Sequence, residues 1–180
     1  KVLYLAGLKE TIDLAQLFGI TTLNRSLSWY GLTLVLGGGE VKLLEMASAY
    51  GAFATEGVRH PSASILRIED SRGNILEEYK DEPVQVLDTE VSRMITNILS
   101  DNVARTPTFG ARSPLFFSDR PIAAKTGTTN EFRDGWTMGY TPSLVAGVWV
   151  GNNDNTSIKQ EPGSYVAAPI WHDFMAKAFD

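Results

Sequence analysis

The chain has 180 residues, enough for one domain that buries about 70% of its unfolded surface. Sixteen Lys and Arg against twenty-one Asp and Glu give a net charge of −5 with no basic cluster, which argues against a nucleic acid or an anionic membrane as the main partner. With no cysteine there is no disulfide framework and no cysteine nucleophile; His60 and His172 lie far apart without ligand-spaced carboxylates, so neither a metal nor a cofactor is expected.

Lys1 opens directly inside an apolar, helix-like run with no initiator methionine or signal peptide, which reads as an excised piece. Val2, Leu3, Leu5, Leu8, Ile12, Leu14, Ala15, Leu17 and Phe18 recur at helical spacing, with Gly7 as a break and Gly19 as a stop. Two helices joined by a short turn are predicted, then a polar and aromatic loop over Thr21 to Gly31 with one turn of helix. Three glycines, Gly37 to Gly39, precede a helix beginning near Val41, whose expected apolar face carries Leu44, Ala47, Tyr50, Ala52 and Phe53 and which stops at Gly57. The glycine triplet matches neither the dinucleotide fingerprint nor the P-loop, because Lys42 stands where the third glycine belongs. A close-packed turn is the expectation there.

Ser64 to Asp70 and Asn74 to Tyr79, separated by Ser71-Arg72-Gly73, predict a β-hairpin with a charged outer side. Its carboxylates Glu69, Asp70, Glu77 and Glu78 read as exposed charges, since nothing nearby would raise the pKa of one of them. Thr89 to Ser100 places Val91, Met94, Ile95 and Ile98 on one helical face behind an Asp88 or Thr89 cap. Asp101 to Asp119 has little period and reads as a mobile loop. Three antiparallel strands follow at Pro121–Thr128, Asp134–Tyr140 and Leu144–Val150, the last two joined by Thr141-Pro142-Ser143. The apolar run Leu144 to Gly151 is far short of the ~20 residues of a membrane helix. After a polar loop from Gly151 to Tyr165, a closing helix starts at Pro169 with Ile170, Trp171, Phe174, Met175 and Ala178 for burial. The expected class is α+β, an antiparallel sheet with packed helices, in four parts: helical to about 57, hairpin and helix to 104, loop to 120, then sheet and closing helix to 180.

The chemistry concentrates in Lys125-Thr126-Gly127-Thr128. Lys125 is a lone cation among small neutral residues, and Thr126 and Thr128 bracket a glycine whose bare backbone lets a ligand approach. Such a set suits a carboxylate, although the tripeptide alone more often marks an edge strand with a solvent-facing lysine. K-T-G is, with S-x-x-K and S-D-N, one of three motifs of penicillin-binding proteins and class A β-lactamases. Beyond it, Arg133-Asp134, Trp136, Gly139-Tyr140-Thr141-Pro142, Val145 to Asn152 and Ala168-Pro169-Ile170-Trp171 follow in order, and upstream Gly39-Glu40-Val41 and Leu44 to Tyr50 join them. The series resembles the end of the transpeptidase domain of a bifunctional class A penicillin-binding protein, over essentially the whole chain.

That resemblance implies a partial penicillin-binding-protein or serine β-lactamase-like fold and a serine D,D-transpeptidase that cross-links peptidoglycan stem peptides through an acyl-enzyme. Its partners would be the D-Ala-D-Ala end, β-lactams that mimic it, and the missing N-terminal part of the same domain, on the extracytoplasmic face of the bacterial membrane. By the resemblance, Lys125 holds positive charge near the nucleophile, Thr126 and Thr128 bind the carboxylate, Gly127 gives the substrate backbone room, and the Thr128 N–H is half of an oxyanion hole. Asp134 and Trp136 read as scaffold, a turn carboxylate and a core aromatic, and Trp149 as core. No serine here has lysine three residues on. Thr156-Ser157-Ile158-Lys159 follows the tetrad and reads as a loop, and Ser100-Asp101-Asn102 falls in the wrong order to be the second motif. The chain is therefore expected to lack the nucleophile and to be inactive alone. A noncatalytic module of the same fold and a β-lactamase or β-lactam-sensor relative are the alternatives.

Overall fold

The computed structural model describes residues 1–158 and 161–179, so the lysine of Thr156–Lys159, the middle of the loop after Gly151 and Asp180 lie outside the described residues. Helices α1 (Val2–Ala6) and α2 (Leu8–Leu17) are separated at Gly7, and Gly19 follows the second; both glycines have positive φ, 90° and 94°. Leu3, Ile12 and Phe18 turn inward, whereas Val2, Leu5, Leu14 and Leu17 stay exposed. The loop that follows carries the one expected turn, α3 (Leu27–Tyr30), and a 3-10 turn over Gly31–Leu36. The glycine triplet is packed tightly: a Cβ on Gly38 would lie 2.9 Å from the Thr33 carbonyl oxygen, and one on Gly39 2.5 Å from Leu23 Cδ2.

Helix α4 (Leu43–Ala54) buries Ala49 and Ala52 among Ile12, Phe18, Ile20 and Leu23. Leu44, expected on this face, is 63% exposed because it points away from both that cluster and the sheet. Strand β1 (Val58–Arg59) pairs with β4 (Val84–Gln85), and between them β2 (Arg67–Glu69) and β3 (Ile75–Glu78) make the predicted hairpin. Its turn is tied by Asp70, which accepts from Asn74 Nδ2 and from the amides of Asn74 and Arg72. Those bonds, the Asn74 side chain first, hold the Asp70 carboxyl below its usual range, the opposite of a general acid.

Helix α5 (Thr89–Ser100) starts at Asp88, whose side chain accepts from Glu90 N and Val91 N. Of the expected burying face, Ile95 is half-buried and Val91 is exposed. Met94 and Ile98 are 63% and 67% exposed, while Ser92 is wholly buried, its hydroxyl donating to the Phe53 carbonyl, and Thr96 shares a 2.9 Å bond with the Tyr140 hydroxyl. Polar residues four apart therefore make the inner contact, and the apolar stripe lies outside it. The predicted loop from Asp101 is also corrected at its start: α6 (Asn102–Phe109) forms there because Asp101 caps it, accepting from Ala104 N at 2.9 Å.

Strands β5 (Ala123–Thr128), β6 (Asp134–Thr141) and β7 (Leu144–Gly151) form one antiparallel sheet in that order. The register sets Lys125 opposite Met138, Gly127 opposite Trp136, and Trp136 opposite Trp149. One face meets α4 and α5; the other meets α7 (Gly163–Val166), a turn the sequence did not suggest, and α8 (Ala168–Ala178). Trp171 and Met175 of α8 are fully buried with Ile122, Ala124 and Ala146, and Trp171 Nε1 donates to the Ala146 carbonyl. Ile170 and Phe174, one position before each, and Ala178 are exposed, since the face that reaches the sheet is Ala168, Trp171 and Met175, at i, i+3 and i+7. No helix among the described residues is long and apolar enough to cross a membrane.

A Cβ on Gly139 would lie 2.2 Å from Trp171 Cζ2 and 2.8 Å from the Ala123 oxygen. Gly139→Ala is therefore expected to cost about 1–3 kcal/mol by overpacking, and Asp88→Ala about 1 kcal/mol by loss of the cap. Urea unfolding midpoints measure both.

Candidate active site

Strand β5 pairs with β6 along one edge and with no described strand along the other. Thr129 N donates to the Asp134 carbonyl at 3.2 Å, so Lys125, Gly127 and Thr129 turn their main-chain groups toward β6. Thr126 and Thr128, in the alternate positions, turn theirs to the free edge. Lys125 Nζ lies on the Thr126 carbonyl, in keeping with that direction. The amides of Thr126 and Thr128 are thus open to a ligand laid along the strand, while the Thr126 carbonyl already accepts from Lys125 Nζ.

The side chains follow the other alternation. Lys125 shares the face of Met138 and Trp136 that looks toward α4 and α5, whereas Thr126 and Thr128 lie on the α7 face. Lys125 and Thr128 are exposed and Thr126 and Gly127 half-buried. The four predicted residues are consecutive and accessible, but the lysine and the hydroxyls straddle the strand edge and do not stand side by side. The Thr128 hydroxyl accepts from Gly163 N at 2.9 Å, a contact the sequence did not announce.

Asp134 closes the β5–β6 connection. Its carboxylate accepts from the Thr129 hydroxyl and, at 2.9 Å, from Trp149 Nε1. Asp134 is the scaffold carboxylate expected of it. Trp136 and Trp149, neighbours across the sheet, are only half-buried, so the expectation that both are core aromatics is corrected: their rings lie on the partly open Lys125 face. Between the strands, Glu131 and Phe132 hold positive φ of 60° and 53°, and the loop after β7 grips this turn through Ser157 Oγ to the Glu131 carbonyl and Ile158 N to the Phe132 carbonyl. Two consecutive non-glycine residues in the left-handed region store strain beside the tetrad.

Ser100-Asp101-Asn102 is not brought to this site. Ser100 Oγ donates to the Asn97 carbonyl, Asp101 caps α6, and Asn102 Nδ2 donates to the Ala111 carbonyl. Ser100 and Asn102 line a cavity of about 330 Å³ with Arg105, Leu115 and Ile122, and Lys125 is not part of its lining. Burial pushes the Arg105 guanidinium below its usual range. On α4, against the sheet, burial, with a smaller contribution from Tyr140, pushes the Tyr50 phenol up to about 12. Thr156 donates to Asp154 Oδ1, as a loop residue would.

The sequence profile described as the penicillin-binding protein transpeptidase domain matches residues 23–176. The chain belongs to the penicillin-binding-protein transpeptidase family. It is 35% identical over 170 residues to penicillin-binding protein 1A of Aquifex aeolicus, covering 94% of this chain and 22% of that protein. To penicillin-binding protein 2D of Bacillus subtilis it is 31% identical over 176 residues, covering 96% of this chain and 25% of that one. Among solved structures, PonA1 of Mycobacterium tuberculosis in complex with penicillin V superposes with a TM-score of 0.80 at 26% identity, covering 97% of this chain and 50% of that chain. The chain thus spans about a quarter of the curated relatives' length and half of that solved chain, and the α+β fold is that of penicillin-binding transpeptidases.

Within this chain, Asp134→Ala removes the acceptor of both Trp149 and Thr129, and is expected to cost about 1–3 kcal/mol. Urea unfolding reads the loss, and a red shift of tryptophan emission reports the freed indole.

Proposed function

We propose that this chain forms one wall of the active site of a serine D,D-transpeptidase, which cross-links peptidoglycan stem peptides through an acyl-enzyme and is inhibited by β-lactams. The observation that carries the reading is the free edge of β5, with the Thr126 and Thr128 amides open beside the Lys125 ammonium. A peptide or a β-lactam laid along this edge pairs with the strand as an added strand would. Its reacting carbonyl then meets the Thr128 N–H, one half of an oxyanion hole aimed at the developing negative charge.

In the acylation step a serine hydroxyl gives up its proton as its oxygen adds to the carbonyl carbon, and the C–N bond of the peptide, or of the lactam ring, breaks. That proton passes to the nitrogen, which departs with the peptide's end or stays tethered in the opened lactam, and the acyl group remains on the serine. Lys125 supplies positive charge near that serine and the ligand carboxylate, the Thr126 and Thr128 hydroxyls bind the carboxylate, and Gly127 keeps the strand open to the ligand backbone. The serine comes from the part of the domain outside this chain, since no serine here is followed by lysine three residues on. The exposed stripe of Val91, Met94 and Ile98 on α5, on the Lys125 side of the sheet, supports that remainder of the domain as the partner. The chain alone does not acylate, and the parent works on the outer face of the cytoplasmic membrane, where its peptidoglycan substrate lies.

The test is acylation by fluorescent penicillin in the full-length protein. Lys125→Ala is expected to lower the second-order rate by about 100-fold or more, with thermal unfolding unchanged, because Lys125 is exposed. Wild-type labelling by that variant would remove Lys125 from the site.

A further inference from the structure

We propose that Gly163 is a positioning residue for the ligand carboxylate: its amide fixes the Thr128 hydroxyl as an acceptor, so that the hydroxyl's single proton is left for the anion. The inference rests on the reading of Thr128 as a carboxylate ligand and adds the group that orients it. A threonine hydroxyl has one proton to donate and two lone pairs to accept with. Gly163 opens α7, and the N–H of a first helical residue has no acceptor within its own helix. Here that N–H points 2.9 Å to Thr128 Oγ1. Among the described residues no protein group takes the Thr128 proton. A hydroxyl that accepts from an amide is polarised, which strengthens the bond it donates.

The seat of α7 is built for this contact. A Cβ at 163 would lie 2.2 Å from the Gly127 carbonyl oxygen and 3.0 Å from Trp136 N and O. Across from it, a Cβ at 135 would lie 2.6 Å from Val166 Cγ2 and 2.8 Å from Gly163 Cα. Neither glycine has positive φ, so backbone conformation does not call for them. Close approach does: two bare α-carbons let the α7 main chain rest on β5 and β6, and only at that distance does the Gly163 amide reach Thr128.

The experiment compares acylation of the full-length protein by benzylpenicillin and by its methyl ester, which lacks the anion. The ratio of the two second-order rates reads carboxylate recognition. Replacing the 163 amide by a backbone ester removes the donor and adds no atom; this amide-to-ester change is expected to lower that ratio by about tenfold, as weakening one hydrogen bond to a charged group does. Thr128→Val should lower it at least as far, Thr128→Ser should restore it, and the amide-to-ester change on top of Thr128→Val should add nothing, the two acting as one unit. A lowered ratio in Thr128→Val with a wild-type ratio in the amide-to-ester protein keeps Thr128 as a ligand and overturns the role of Gly163. Equal loss with both probes in the amide-to-ester protein also overturns it, leaving a structural contact only. An unchanged ratio in Thr128→Val overturns the reading of Thr128 itself, and the inference with it.

Discussion

A strand in an antiparallel sheet points its main-chain groups alternately to one edge and the other, and its side chains alternately to the two faces. Among the described residues β5 has a partner on one edge only, and everything proposed for the site depends on that free edge. Pairing of Lys125, Gly127 and Thr129 with β6 is what turns Thr126 and Thr128 outward. The same alternation puts the lysine on the face of α4 and α5 and the threonine side chains on the face of α7. A ligand at the edge therefore meets a cation from one side, hydroxyls from the other, and amides along its length.

Such an edge needs a rigid sheet behind it. β6 and β7 supply it through tight packing: Gly139 lies under the Trp171 ring, and Gly147 leaves space that Met138 and Leu43 fill. Asp134, bonded to Thr129 and Trp149, ties the end of β5 to both other strands. On the face of α4 and α5 the Tyr140 hydroxyl reaches Thr96 of α5, so the helical part and the tetrad strand share one framework.

Much of this was legible in the sequence because its signals are local. Gly7 and Gly19 mark helix ends by their backbone freedom, Asp88 caps α5 through a bond two residues away, and the alternation around Lys125 defines a strand. The chain's own spacing could not choose between two faces of a helix. In α5 the apolar stripe predicted an inner face, yet Ser92 and Thr96 turn inward because Phe53 and Tyr140, far along the chain, offer them a carbonyl and a phenol. The Gly163 contact was hidden for the same reason. Thirty-five residues separate it from Thr128, and a glycine inside a polar loop gives no sign that a strand lies against it.

The central claim is that this chain contributes a wall without a nucleophile. Intact-mass spectrometry after incubation with benzylpenicillin tests it most directly, on the 180-residue chain alone and on the chain reassembled with the remainder of its domain. The account predicts that this chain never gains the mass of the drug and that the other part does so when the two are combined. A stoichiometric adduct on this chain would place a nucleophilic serine within it and contradict the account.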